Sequence, residues 1–195
     1  MSYTFELEKR KAAWNLLREL ETGKVDPDII ELLSIINYHP DYYTTSSCSG
    51  RIQVSASETP GEKGIMVVVA KWHRPIEKYE LDKVTRYAKY PSLWLSVQGP
   101  IMHIVCRTLD AAQFLLITAR NSGLKHSGIQ GVGKRAVVEI VSSDRIEMPL
   151  KLSGVDCINP HVLAYLIDKV NTVLLRSKAR LSTFCVKLAH QAKSV

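Results

Sequence analysis

No stretch of this 195-residue chain is apolar for long enough to cross a bilayer: the longest such run, Ile65 to Ala70, falls far short of the roughly 20 residues required. The opening Met1-Ser2-Tyr3-Thr4-Phe5-Glu6 contains no apolar signal core and passes straight into a charged amphipathic pattern, so the cytoplasm is the expected location. Cysteine is scarce. The four residues Cys48, Cys106, Cys157 and Cys185 form no C-x-x-C pair, which argues against a zinc knuckle or a thioredoxin-like motif, and no metal is expected. No Pro/Gly/Ser-rich stretch divides the chain, and the length fits a single domain over residues 1–195. Acidic residues are also short: Asp plus Glu is 19 against 26 for Lys plus Arg, a formal net charge of +7 that favours a polyanionic partner such as RNA.

What is present reads as an α+β protein. Residues 2–21 place Phe5, Ala13, Trp14, Leu17 and Leu20 at helical spacing. Asp26-Pro27 is a helix start, Asp as N-cap and Pro at the first helical position, with Ile29, Ile30, Leu33 and Ile36 following toward a core. After Pro40 the pattern turns to strands: 42–48, 51–57 and 65–72. A helix over 76–89 follows, then a strand pair, 93–97 and 101–106, turning at Gly99-Pro100. A helix over 109–121 and strands over 136–142 and 145–152 precede a long C-terminal helix over 160–192. Strands adjoining strands, with helices between the groups, predict a mixed, mostly antiparallel sheet with flanking helices. No G-x-G-x-x-G follows a first strand, so the Rossmann methyltransferase layout is not supported. Ser49-Gly50-Arg51-Ile52-Gln53 and Ser127-Gly128-Ile129-Gln130 hint at an internal pseudo-repeat.

Two features invite a functional reading and resist it. Gly128 to Lys134 has the spacing of a phosphate-binding G-x-x-x-x-G-K loop, but Arg135 stands where Ser or Thr would ligate magnesium, and a β-branched run follows instead of a helix. Along the last helix Lys169, Arg176, Arg180 and Lys187 share a line, either a phosphate rail or a solvated flank whose aliphatic stems cover the edge of the core.

The densest unusual stretch is Thr44-Thr45-Ser46-Ser47-Cys48-Ser49-Gly50-Arg51. So many short hydroxyl and thiol side chains in succession cannot all be satisfied in a core, and Arg51 adds a fork suited to carboxylate or phosphate. The competing reading is a hairpin whose Ser and Thr merely suit strands and turns. Together with Lys71-Trp72-His73, Trp94, Gly99-Pro100-Ile101-Met102-His103, Lys125-His126-Ser127-Gly128-Ile129 and Arg145-Ile146-Glu147-Met148-Pro149-Leu150, this block resembles the third wybutosine-synthesis protein family of eukaryotes and archaea. The resemblance covers most of the chain from about Glu6 to Leu152.

The resemblance implies an S-adenosylmethionine-dependent methyltransferase. It would act on N4 of the 7-aminocarboxypropyl-demethylwyosine base at position 37, in the anticodon loop of tRNA(Phe). Within the resembling blocks His73, His103 and His126 are the candidate bases. Ser46, Ser47, Ser49 and Arg51 are candidates to hold the methionine carboxylate or the substrate's own aminocarboxypropyl group. Trp72 and Trp94 could stack on adenine or on the target base, or sit in a core. Trp72 is expected on the cofactor side; Trp94, Lys125, Ser127, Lys134 and Arg135 are expected on the RNA side, with Lys71 and Arg74 adding positive charge. The alternatives are a noncatalytic RNA-binding module and a small-molecule enzyme using the same loop.

Overall fold

The computed structural model describes residues 2–60, 64–132, 135–159 and 161–192. They gather into two compact units: residues 1–49, 100–143 and 178–195 in the first, residues 50–99 and 144–177 in the second. No flexible linker marks the crossings, which fall at Ser49/Gly50, Gly99/Pro100, Ser143/Asp144 and, inside a helix, Ser177/Lys178. The predicted α+β class holds, but the strands form two sheets in place of one, and every pairing in both is antiparallel. Among the described residues no helix is long and apolar enough to cross a membrane.

The elements of the first unit are helix α1 (Ser2–Glu21), a short 3-10 turn (Pro27–Ile29), helix α2 (Ile30–Tyr38) and strand β1 (Tyr42–Cys48). Strand β5 (Ile101–Cys106), helix α4 (Leu109–Asn121) and strands β6 (Gly128–Val132) and β7 (Ala136–Val141) complete it, with the sheet ordered β1-β5-β7-β6. Strict alternation on β7 sends Ala136, Val138 and Ile140 inward, where they meet Met102, Ile104 and Cys106 of β5, Leu32, Leu33 and Ile36 of α2, and Ala112, Leu115 and Ala119 of α4. Thr108 caps α4, its hydroxyl accepting from the Ala111 N–H at 3.1 Å. Asp26 departs from its expected role. Its carboxylate makes no bond to the following helical turn and instead accepts the Ser49 N–H at 2.8 Å.

The second unit contains β2 (Arg51–Ala56), β3 (Val67–Trp72), helix α3 (Lys78–Tyr87), β4 (Leu93–Gln98), β8 (Arg145–Leu152) and the short β9 (Val155–Asp156), ordered β3-β2-β4-β8-β9. Ile52, Val54 and Ala56 stand opposite Val97, Leu95 and Leu93 and pack with Leu81 of α3. The opposite sheet face carries the cross-strand pairs Gln53–Ser96 and Ser55–Trp94. Pro149, which cannot donate to a ladder, lies beside the register shift in β8.

Helix α5 (Leu163–Ala192) supplies both cores: Leu163, Ile167, Val170 and Leu174 to the second unit, Leu181, Phe184 and Leu188 to the first. The basic line on this helix is largely committed within the protein. Arg176 donates to the buried Asp144 at 2.7 Å, Lys187 to the Asn121 carbonyl at 2.7 Å, and the Arg180 stem lies against Gly123. These contacts match the flank reading over the phosphate rail. The Gly-rich segment likewise enters the β6–β7 hairpin and no helix.

Candidate active site

Helix α1 lies on the outer face of the first sheet. Phe5 meets Tyr43 edge-on at 5.2 Å, and the Arg107 guanidinium sits 4.5 Å from the Phe5 ring centre. Lys9 donates to the His39 and Tyr42 carbonyls, while Glu6 pairs with Arg107 and Glu8 with Arg135. Between α1 and β1 runs a groove of about 600 Å³, lined by Lys11, Asn15, Lys24, Arg135 and the hydroxyl run Thr44-Thr45-Ser46-Ser47. At its floor Tyr43 donates to Glu8 at 2.9 Å and accepts from Arg135 at 3.1 Å. Burial, then the Glu8 bond, pushes the Tyr43 hydroxyl up to about 12, and the Tyr43 hydrogen bond leads the forces holding the Glu8 carboxyl below its ordinary range. The groove therefore presents a fixed, protonated phenol beside a held guanidinium.

The hydroxyl run reaches this face through a bulge. Tyr42, Tyr43 and Thr44 pair with Cys106, Val105 and Ile104, but the register then shifts so that Ser46 stands opposite His103. The extra residue is Thr45; in unbroken register it would occupy that place and Ser46 would face Met102. A bulge re-aims side chains in this way. Ser46 Oγ lies 2.8 Å from His103 Nδ1, and His103 Nε2 lies 3.3 Å from Glu139 Oε1 on the neighbouring β7. A carboxylate only accepts, so this arrangement favours the tautomer with the proton on Nε2 and a lone pair on Nδ1 facing the serine hydroxyl. A second bulge, at Gln130 of β6, sets the Gln130 amide to donate to Glu139 Oε2 at 2.7 Å. A row Ser46–His103–Glu139–Gln130 thus crosses all four strands. Its chemical capacity is to take a proton at Ser46 or His103 and stabilise the imidazolium that forms.

Of the expected residues, Ser46, His103 and Arg135 share the outer face of the first sheet; Ser46, Ser47 and Arg135 line the groove, with Ser47 paired opposite the core residue Met102 and so on the other face of the strand from Ser46. Ser49 does not join them. It is fully buried, its hydroxyl accepting from Lys178 at 2.8 Å, and it belongs to the network of Asp26 and Asp28. Ser127 is buried as well. Its hydroxyl accepts the Val141 N–H at 3.1 Å and its carbonyl takes both Nε and Nη2 of Arg120, so the side chain fastens the start of β6 and does not face RNA. Its neighbours Lys125 and His126 are exposed, and Lys134 lies outside the described residues.

The second unit holds the others. Arg51 and Trp94 share one face of its sheet; Trp94 donates its indole N–H to the Ser57 carbonyl at 3.0 Å. Arg51 Nε is buried and finds no partner among the described residues, a costly state for a cationic donor unless a ligand answers it. Trp72 stands opposite Ile52, on the core side, and its indole bonds Glu80. That places it in the packing, as the plainer reading of a tryptophan has it. His73 follows β3 and is half-buried, Lys71 is exposed, and Arg74 is held by both Glu80 oxygens at 2.7 and 3.0 Å.

Comparison with known proteins agrees with this arrangement of strands and motifs. Residues 7–190 match the model of the family described as Methyltransferase TYW3. The chain belongs to this family. A relative from Thermococcus sibiricus is 40% identical over 91% of this chain and 90% of its own, and one from Archaeoglobus fulgidus is 36% identical over 89% and 87%. Both are named tRNA(Phe) 7-((3-amino-3-carboxypropyl)-4-demethylwyosine(37)-N(4))-methyltransferase. The solved structure of a Pyrococcus horikoshii protein superposes with a TM-score of 0.90 at 34% identity, covering 94% of this chain and 95% of that one. A protein from Aeropyrum pernix gives a TM-score of 0.75 at 36% identity, covering 84% and 96%. This fold is shared with these TYW3-like chains and is not a Rossmann fold.

Proposed function

We propose that the protein transfers a methyl group from S-adenosylmethionine to N4 of the 7-aminocarboxypropyl-demethylwyosine base at position 37 of tRNA(Phe), the step its relatives are named for in wybutosine synthesis. The observation that carries this reading is the Ser46–His103–Glu139 row beside a groove of short hydroxyl side chains. When bound, S-adenosylmethionine supplies an electrophilic methyl on a sulfonium. N4 gains the carbon as the carbon–sulfur bond breaks, and N4 must shed its proton. Ser46 Oγ takes that proton while its own passes to His103 Nδ1, and Glu139 stabilises the resulting imidazolium. Thr45 and Ser46 offer hydrogen bonds that hold the base edge in line, so that positioning supplies much of the acceleration.

In the second unit, taken by itself, the unanswered Arg51 Nε suits a carboxylate, such as that of an aminocarboxypropyl group. The base lies in an anticodon loop, where little or no duplex has to be opened. Incubation with methyl-labelled S-adenosylmethionine and tRNA(Phe) carrying the precursor base tests the reading. Label recovered in the base supports it; tight tRNA binding with no transferred methyl would leave a noncatalytic RNA-binding module instead.

A further inference from the structure

The apolar spacing of α1 suggests that Trp14 and Leu17 face a core, yet Trp14 is 71% exposed, Leu17 54% and Leu7 43%. The buried side of α1 is a different one, carried by Phe5, Ala12 and Leu16. On the outer side Leu7, Arg10, Lys11, Trp14 and Asn15 border a shallow hollow, and Arg18 continues the line with its guanidinium 3.3 Å from the Asn15 side-chain oxygen. The helix separates its charges by face. Glu6 and Glu8 are spent on Arg107 and Arg135 beneath, where Lys9 also lies, and Glu19 lines the groove, whereas Arg10, Lys11 and Arg18 surround the exposed indole, with Glu21 at the far end of that side.

From this we infer that the outer face of α1 is a second RNA-contact surface, on which Trp14 stacks an unpaired base while Arg10, Lys11 and Arg18 hold the adjoining phosphates. The inference rests on the tRNA reading above and extends it beyond the groove. An aromatic platform ringed by cations is the chemistry that grips single-stranded nucleic acid. The charge argues against the other occupants of an apolar helix face. A second copy docked on the same face about a two-fold axis would set Arg10, Lys11 and Arg18 against themselves. On a chain of net charge +7, the complementary partner is a polyanion.

The test uses the full chain and tRNA(Phe) carrying the precursor base, with binding followed by anisotropy across a salt series and methyl transfer measured in parallel. Trp14→Ala is expected to weaken binding roughly tenfold, with Trp14→Phe keeping most of it. Arg10→Ala/Arg18→Ala, which leaves the groove-lining Lys11 in place, is expected to flatten the dependence of log K on log salt by about 1.4 units, at ~0.7 for each lost phosphate contact to single strands. KM should rise in both cases and kcat should hold, since neither set touches the Ser46–His103 row. Unchanged affinity and salt slope in both variants would overturn the inference while wild-type methyl transfer left the function standing. Failure of the wild type to bind or methylate tRNA would instead overturn the function. A loss of self-association in Trp14→Ala, seen by sedimentation with RNA affinity unaltered, would assign the face to a second copy and likewise overturn the inference.

Discussion

Ser46 Oγ and His103 Nδ1 meet at 2.8 Å because one additional residue, Thr45, is accommodated in β1 before the strand regains its pairing with β5. The contact is therefore a property of strand register, and both partners sit on sheet strands, which hold geometry better than loops. Replacing His103 with Ala, or Ser46 with Ala, is expected to lower kcat by ~10²–10⁴-fold, the range for a positioned acid–base group, with little change in KM for tRNA. Single-turnover methyl transfer at saturating tRNA measures this. A kcat within a few-fold of wild type for both variants would remove the pair from the mechanism.

In the proposed step Glu139 acts through His103. With its carboxylate 3.3 Å from Nε2 it fixes the ring proton there, and Gln130 keeps the carboxylate turned toward the imidazole. Glu139→Gln can offer its amide N–H to the ring and invert the tautomer, an effect that in a Ser-His-carboxylate array reaches ~10⁴-fold in kcat. Gln130→Ala, which only loosens the carboxylate, should cost far less. An ordering of wild type, Gln130→Ala, then Glu139→Gln in kcat, at constant tRNA affinity, is the expected outcome. Equal loss in both variants would point to a damaged sheet.

Arg51 has a buried Nε with no partner among the described residues. Arg51→Ala and Arg51→Lys should both weaken carboxylate binding, roughly ten- to hundredfold, because an ammonium cannot reproduce the guanidinium fork. Calorimetric titration with S-adenosylmethionine and, separately, KM for the tRNA test whether the arginine holds either aminocarboxypropyl group, and which. Neither parameter moving would discard the assignment.

Glu80 sets an acid limit on the second unit. The Arg74 hydrogen bond, then the Glu77 N–H within a reciprocal cap at the start of α3, bring its carboxyl from 4.5 down to about 2 against the opposing effect of burial. A depressed carboxyl contributes stability that is complete above its unfolded value and lost as pH falls through the folded one. The window here runs from 4.5 to about 2. Thermal unfolding of Glu80→Gln should be less steeply pH-dependent than wild type in that window; identical slopes would refute the linkage.

The sequence pattern located most elements because helix and strand periods were both strongly marked, as in the inward alternation of β7. It missed β6, whose Gly128-Ile129-Gln130-Gly131-Val132 resembles a turn and becomes a strand only by pairing with β7. Ser46 and His103 were legible as chemically apt residues, but not as neighbours. Their meeting depends on a bulge, and a bulge leaves no trace in the alternation of so uniformly polar a run. Glu139 was invisible for the same reason: a single Glu in a β-branched strand becomes part of a site only once β5 lies beside β7. Ser49 and Ser127 erred in the opposite direction, their motif context pointing to ligands while their hydroxyls complete buried networks. Trp14 shows how far helical spacing reaches: it gives the angle of a residue on α1 but not which angle the sheet covers.

The bulge itself has a buttress in Asn37. Its amide donates to the Leu33 carbonyl at 2.8 Å and the Thr44 hydroxyl at 2.9 Å, and its carbonyl accepts the Thr44 N–H at 3.0 Å, one residue before the register shifts. Thr44 is buried, so Asn37→Ala strands a backbone donor and a hydroxyl together. Each unmet buried group costs about 1–3 kcal/mol, and part of the loss is recovered where water reaches the truncated site. A destabilisation of about 2 kcal/mol is expected in chemical denaturation, with m unchanged. Because the same bonds seat β1 just before Ser46, kcat should fall as well under conditions where the variant remains fully folded, and KM should not. Stability lost with kcat intact would show that Thr45 and Ser46 hold their places through pairing with β5 alone.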